Sequence, residues 1–159
     1  FLSSALVGSL HPFMLPVLVF ILAAAIAFST GSSWSTMAIL YPIAIPTSWA
    51  VCHAAGLDAT HSLEILLNVI ATVLGASVLG DHCSPISDTT ILSSLASDCN
   101  HIDHVRTQMP YALTVGLVSI ICTGVSTALG GGWLISFFLL GLAITGLYVV
   151  VLRFGQSTG

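Results

Sequence analysis

Two long stretches of the chain carry no formally charged side chain, and this absence limits what the chain can fold into. The first charged side chain is Asp58, and none lies between Arg106 and Arg153. A helix needs ~20 apolar residues to cross the hydrocarbon core of a bilayer, so each stretch has room for two crossings. A helix also satisfies its own backbone hydrogen bonds where water is absent. We therefore expect an all-α, polytopic membrane protein.

The composition supports a membrane location and excludes several other classes of protein. Of the 159 residues, 56% are hydrophobic and 5% are charged, whereas a soluble domain is about 25% charged. Two basic side chains are too few for nucleic acid to be a partner. The four cysteines form no Cys-x-x-Cys pair, so a disulfide framework is not expected. The expected partner is the lipid bilayer, in a bacterial plasma membrane.

The order of apolar and polar segments predicts the topology. The segments are an interrupted helix or hairpin at 12–52, a broken helix at 62–96, a cytoplasmic loop at 97–110, and transmembrane helices at 111–129 and 133–152. The pattern does not decide between a re-entrant hairpin and two full spans at 12–52. Arg106 and Arg153 flank the last two helices, and the positive-inside rule places both in the cytoplasm.

Residues 80–90 interrupt an apolar run with two carboxylates, an imidazole and several hydroxyls. Ionisable groups beside a membrane segment are costly and usually mark an ion path. A helix that is interrupted at membrane depth is tolerated where the freed backbone lines a cavity. We expect Gly80 and Pro85 to set this break. A second break, around Gly31, lies at 29–36, and discontinuous helices of this kind form ion sites in secondary transporters.

Asp81 is the carboxylate expected to couple the transported ions. A carboxyl that is held away from water binds a proton or a Na⁺ ion but not both, and this exclusion is the simplest antiport mechanism. The alternative is a structural acid that is hydrogen-bonded to the interrupted backbone. Asp88 precedes a short apolar segment, where an acidic side chain either caps a helix or binds the ion.

Hydroxyl side chains supply the remaining candidate ligands, because hard cations such as Na⁺ prefer oxygen. The candidates are Ser29, Thr30, Ser32 and Ser33 at one break, and Ser84, Ser87 and Thr89 at the other. Each group also has a purely local interpretation. The first would form a capped turn with Gly31 in the left-handed conformation. The second would close the turn around Pro85.

Histidines near the break suggest two further roles. His82 is a candidate pH sensor, since imidazole titrates near neutrality, or else a polar residue of the break. A zinc site is suggested by a nearby cluster of Cys99, His101, Asp103 and His104. Structural zinc requires four ligands at a recognisable spacing. This cluster is too tight and lies in the predicted loop, so no zinc site is expected.

The motif GDHCSPISDTTILSS at 80–94 resembles the signature segment of the NhaC-type Na⁺/H⁺ antiporter family. CNHIDHVRTQMPYA at 99–112 is similar to the next segment of that family, and STGSSWST at 29–36 and YPIAIP at 41–46 match its style. The resemblance implies a transporter of inverted repeats, in which residues 29–36 form a hairpin tip that faces the broken helix at 80–90 around the cation. The chain begins without Met, so we expect a C-terminal portion whose partner repeat is the upstream half of the transporter.

The function expected from this resemblance is secondary active exchange of Na⁺ for H⁺, with no cofactor beyond the transported ions and no enzymatic activity. An antiporter that exchanges an organic acid such as malate or lactate with coupled Na⁺ or H⁺ stays open. Its anionic substrate would rely on a helix N-terminus near Thr89, because no arginine lies within the apolar segments. An intramembrane aspartyl protease needs Gly-x-Gly-Asp, and Val78 stands where the first glycine is required. A bare channel and a homodimer are also compatible.

Overall fold

The computed structural model describes residues 11–154, and most of them are helical. A 3-10 turn at Pro12–Met14 leads into α1 (Leu15–Thr30), followed by α2 (Ser33–Ala54), α3 (Ala59–Cys83), α4 (Asp88–Ala96), α5 (His101–Ala128) and α6 (Trp133–Phe154). All of these helices except α4 are long and apolar enough to cross a membrane, counting α1 with the turn that precedes it. The prediction of a polytopic helical membrane protein is confirmed.

The core of the described residues lies between α1, α2 and α3. Its buried apolar side chains are Leu15, Phe20, Ala23, Leu40, Ala44, Val51, Val69, Val73 and Ala76. The α5 helix packs against α3, and α6 packs mainly against α5 and leaves its large apolar side chains exposed. Exposed apolar surface of this kind is expected where the surrounding solvent is lipid rather than water.

The α1 and α3 helices approach each other closely at Gly80. A Cβ atom at this position would clash with the backbone carbonyl oxygen of Ala24 and would lie 2.8 Å from Cβ of Ala27. Helix–helix contacts in membranes favour small residues, because these let the backbones approach. Gly80 lies inside α3, three residues before the helix ends at Cys83, so the prediction that it helps to break the helix is wrong. The interruption follows Cys83, and Pro85 lies within it.

The segment predicted as a loop at 97–110 is largely helical, because α5 begins at His101. The side-chain oxygen of Asn100 caps the helix by accepting hydrogen bonds from the backbone amides of Ile102 (2.9 Å) and Asp103 (3.4 Å). Such a cap satisfies amides that have no partner within the helix. Pro110 lies inside α5 rather than at its start. The connection between α4 and α5 is therefore confined to residues 97–100.

Replacement of Gly80 by alanine tests the close contact between α1 and α3. We expect Gly80→Ala to destabilise the protein by about 1–3 kcal/mol, because the added methyl group meets backbone atoms that cannot rotate away. The control is Gly75→Ala in the same helix, where an added Cβ has no neighbour within 4 Å. The control should gain up to about 1 kcal/mol in helix propensity. Thermal unfolding of both variants in detergent decides the matter, and equal melting temperatures would contradict the packing described here.

Candidate functional site

The break between α3 and α4 consists of residues 84–87, and its position follows from Pro85. A residue that precedes proline is pushed away from the helical conformation by a clash with the proline ring. Ser84 is accordingly extended, with φ −77° and ψ 129°, and it ends α3. Its backbone amide still donates a hydrogen bond to the carbonyl oxygen of Asp81 at 3.0 Å. The side chains of Ser84 and Ser87 are fully buried within the break.

Asp81 lies in the last turn of α3, directly before this break, and only 7% of its surface is exposed. The hydroxyl of Ser87 donates a hydrogen bond of 2.6 Å to the Asp81 carboxylate, at Oδ1. The same hydroxyl oxygen lies 2.8 Å from the hydroxyl of Thr89. A carboxylate and two hydroxyls thus form a short row of oxygen atoms that joins the end of α3 to the start of α4.

The start of α4 differs from the prediction in one respect. Ser87, not Asp88, occupies the N-cap position, and Asp88 is the first helical residue. Ser87 does not cap the helix with its side chain, because its hydroxyl is directed to Asp81. Asp88 is exposed, as is Thr89. A negative side chain in the first turn is favourable beside the positive end of the helix dipole.

The break at residues 31–32 has the local structure of two consecutive helix caps. Gly31 adopts the left-handed conformation, with φ 64°, and its amide donates to the carbonyl oxygen of Ala27 at 2.8 Å. The hydroxyl of Ser32 accepts a hydrogen bond from the backbone amide of Ser35 at 3.3 Å, which caps α2. Glycine takes this conformation without the strain that a Cβ atom introduces.

The hydroxyls around Gly31 form their hydrogen bonds within their own segment. Those of Ser29 and Thr30 donate to carbonyl oxygens one turn earlier in α1, at 2.8 and 2.9 Å. Ser33 begins α2 and is half-buried. Thr36, which was not among the predicted ligands, is fully buried and donates to the carbonyl oxygen of Ser32 at 2.9 Å. Among the described residues, no hydrogen bond links this group to Asp81.

The two breaks nevertheless meet in space. A Cβ atom at Gly31 would lie 2.9 Å from both the carbonyl oxygen and Cγ1 of Ile86. Gly31 is thus pressed against the middle of the break between α3 and α4. Two segments that are more than fifty residues apart in the chain therefore share one contact surface beside Asp81.

His82 follows Asp81 in the last turn of α3. Its side chain is exposed, and its Nδ1 atom lies 3.1 Å from the carbonyl oxygen of Val78. His82 lines a cavity of about 800 Å³ between α3, α5 and α6, whose walls are mostly apolar. Asp81 does not line this cavity. The imidazole predicted as a pH sensor and the carboxylate predicted as the ion site therefore face different surroundings.

The α5 helix supplies two contacts to this region that the sequence did not indicate. The amide group of Gln108 donates a hydrogen bond of 3.1 Å to the carbonyl oxygen of His82. Nε2 of His101 lies 2.7 Å from the carbonyl oxygen of Pro85. The sequence suggested His101 only as a possible zinc ligand. No sequence pattern distinguishes a histidine that binds a distant backbone from one that is solvated.

Comparison with known sequences connects this arrangement to a family. The Na⁺/H⁺ antiporter family matches residues 1–127, which include both breaks and the buried carboxylate. The chain belongs to the Na⁺/H⁺ antiporter family. The resemblance inferred from the motif at 80–94 is thereby confirmed at the level of the family.

Three curated relatives are each much longer than this chain. An uncharacterised protein of Haemophilus influenzae is 43% identical over 97% of this chain and 27% of its own length. The arginine/ornithine antiporter ArcD of Halobacterium salinarum is 36% identical over 57% of the chain and 21% of its own length. The malate-2H⁺/Na⁺-lactate antiporter of Bacillus subtilis is 27% identical over 77% of the chain and 24% of its own length.

The chain thus spans about a quarter of the length of the curated relatives it matches. No solved structure matches it significantly.

The contact between Gly31 and Ile86 is tested by a pair of glycine replacements. Gly31 and Gly56 both have positive φ angles, 64° and 71°, but a Cβ atom at Gly56 has no neighbour within 4 Å. Alanine at either position should cost about 1–2 kcal/mol for the left-handed backbone. Gly31→Ala should cost more, because it also displaces Ile86. The measurement is the difference in melting temperature in detergent, and an equal loss in both variants would show that the two breaks are not in contact.

Proposed function

We propose that the complete protein is a secondary active transporter that exchanges Na⁺ for H⁺, and that Asp81 is the group for which the two ions compete. The observation that carries this proposal is a carboxylate buried at a helix break within a chain of membrane-spanning helices. Carboxylates in such positions are costly and usually serve ion or proton transport. Membership of the Na⁺/H⁺ antiporter family supports the same function.

The atoms around Asp81 suit a hard monovalent cation. Oxygen ligands are available from the Asp81 carboxylate and from the hydroxyls of Ser87 and Thr89, and successive oxygens in this row lie 2.6 and 2.8 Å apart. Ser84 is buried in the same break. Carboxylates, hydroxyls and carbonyls are the ligands that hard cations prefer. The interrupted helix also leaves backbone carbonyls at the end of α3 without helical partners.

Competition for one carboxylate gives a simple exchange cycle. When Asp81 is ionised, a Na⁺ ion can take the lone pairs of the carboxylate and the neighbouring hydroxyls. When Asp81 is protonated, the attraction for Na⁺ is lost, and the Ser87 hydroxyl can rotate to accept a hydrogen bond from the carboxylic acid. Since Asp81 holds one ion at a time, a site that opens to the two sides of the membrane in turn lets a gradient of one ion drive transport of the other.

A second candidate is a carboxylic-acid antiporter that couples its substrate to Na⁺ or H⁺. The relative named malate-2H⁺/Na⁺-lactate antiporter favours this alternative. The N-terminus of α4 also supports it, because no side chain caps these amides, and such amides attract anions. Against it, both arginines of the chain lie near the ends of helices rather than within the bundle. An intramembrane protease is disfavoured by the family match.

The deciding experiment uses the complete protein in sealed proteoliposomes with an imposed pH gradient that a pH-sensitive dye reports. NaCl, KCl, malate and arginine are added in separate runs. We expect NaCl alone to collapse the gradient, because bound Na⁺ displaces the proton from Asp81. A response to malate but not to Na⁺ would instead support the organic-acid exchanger. Arginine-driven release of ornithine from preloaded vesicles would support exchange like that named for the Halobacterium salinarum relative.

Asp81→Asn tests the assignment of the site within the same assay. Asparagine cannot exchange a proton at physiological pH and has no negative charge to attract Na⁺. We therefore expect the Na⁺ response to fall by about 100-fold or more, which is the size of loss expected when a preorganised electrostatic group is removed. Asp103→Asn is the control, because Asp103 is an exposed carboxylate in the first turn of α5. The control should retain the parent rate. An unchanged Na⁺ response in Asp81→Asn would keep the antiporter but remove Asp81 from its ion site.

A further inference from the structure

His101 is the side chain that connects α5 to the break between α3 and α4. Its Nε2 atom lies 2.7 Å from the carbonyl oxygen of Pro85, which accepts the ring N–H. Its Nδ1 atom lies 3.1 Å from the hydroxyl oxygen of Ser94 in α4. The imidazole is half-buried and spans the space between three structural elements. One ring therefore ties the first residue of α5 both to the break and to the helix that follows it.

The carbonyl oxygen of Pro85, a half-buried residue, accepts from His101 in place of a helical amide. In a continuous helix this oxygen would accept a hydrogen bond from the amide four residues later, but the break removes that bond. Among the described residues, His101 is the donor that remains for it. A backbone carbonyl that is left without a donor away from water is destabilising. The His101 ring thus replaces the backbone hydrogen bond that the Pro85 carbonyl would accept in a continuous helix.

The orientation of the ring is itself fixed. Ser94 is buried, and its hydroxyl lies 2.8 Å from the carbonyl oxygen of Thr90 within α4, so its single proton is shared between that oxygen and Nδ1 of His101. Because Ser94 holds Nδ1, the imidazole ring cannot rotate without breaking a hydrogen bond, and Nε2 stays directed to the carbonyl oxygen of Pro85. The carbonyl of Pro85, and with it residues 84–87, is then held at a defined distance from α5.

We infer that His101 is a positioning residue for the cation site, which it serves by holding the Pro85 carbonyl so that Ser84 and Ser87 stay beside Asp81. The inference rests on the function proposed for Asp81. Ser87 lies two residues from Pro85 and donates directly to the Asp81 carboxylate. Any displacement of Pro85 therefore moves a hydroxyl of the ion site. His101 itself does not touch Asp81 and takes no part in binding the ion.

Two amide replacements distinguish the two hydrogen bonds that the His101 ring makes. The side-chain amide of glutamine reaches the position of Nε2, so His101→Gln can still donate to Pro85. The shorter amide of asparagine reaches the position of Nδ1, so His101→Asn can bond Ser94 but not Pro85. The matched control is His104→Asn in the same helix, because His104 lies 3.4 Å from Ser93 and has no bond to the break.

Two measurements on the complete protein are made in parallel. Hydrogen exchange in detergent follows the backbone amides of Ser84, Ile86 and Ser87, and proteoliposome transport gives the KM for Na⁺ and the maximal rate. In His101→Asn we expect exchange at the break to accelerate and the KM for Na⁺ to rise, each by about tenfold for the loss of one hydrogen bond. The maximal rate should change less than the KM. His101→Gln and His104→Asn should resemble the parent in both measurements.

The outcomes distinguish this inference from the function on which it rests. Equal exchange rates at 84–87 in all variants would overturn it, and so would equal impairment by glutamine and asparagine. Faster exchange without a change in KM would also overturn it, because the break would then be held for stability alone. If the parent shows no Na⁺-driven proton flux, the proposed function fails. The exchange rates then still decide whether His101 holds the break.

Discussion

The hydrogen bond from Ser87 to Asp81 is the interaction on which the candidate site depends. It joins the end of α3 to the start of α4 across the interruption at Pro85. Its acceptor is a carboxylate that the surrounding helices shield from water. Each of these features alone is unfavourable inside a bilayer, since an open backbone and a buried acid both lack partners there. The break provides the hydroxyl donor that the acid requires, and the freed backbone carbonyl of Pro85 is bonded by His101.

The rest of the bundle supports this arrangement from two sides. Gly80 allows α1 to pack closely behind Asp81, and Gly31 brings the junction of α1 and α2 against the break at Ile86. On the other side, α5 binds the backbone at His82 and Pro85. The break is therefore irregular in conformation but is fixed by contacts from three helices. Such preorganisation is what a selective ion site needs, because ligands that are held in place discriminate between ions better than mobile ones.

The sequence predicted the helical membrane fold and the interruption near Pro85, because hydropathy and proline act through local chemistry. It also indicated the motif that identifies the family. It missed the role of Gly80, since glycine breaks helices in water but lets them pack closely in a membrane, and only the neighbouring helix distinguishes the two. It misjudged residues 101–110, because their polarity suits a loop and a capped helix end equally well. The approach of Gly31 to the break at Ile86 agrees with the facing arrangement of residues 29–36 and 80–90 that the family resemblance implied. The contacts of His101 are long-range, and a single sequence does not encode them in any readable pattern.

The length of α3 has a consequence for how an ion meets the electric field across the membrane. Its 25 residues measure about 38 Å, whereas the hydrocarbon core is ~30 Å thick. Asp81 lies in the last turn of this helix, so a bilayer centred on α3 would place the proposed ion site near one membrane face. An ion entering from the near face crosses little of the potential, and one entering from the far face crosses most of it. At about 2.3 kcal/mol per charge for every 100 mV, the membrane voltage would act almost entirely on the longer route.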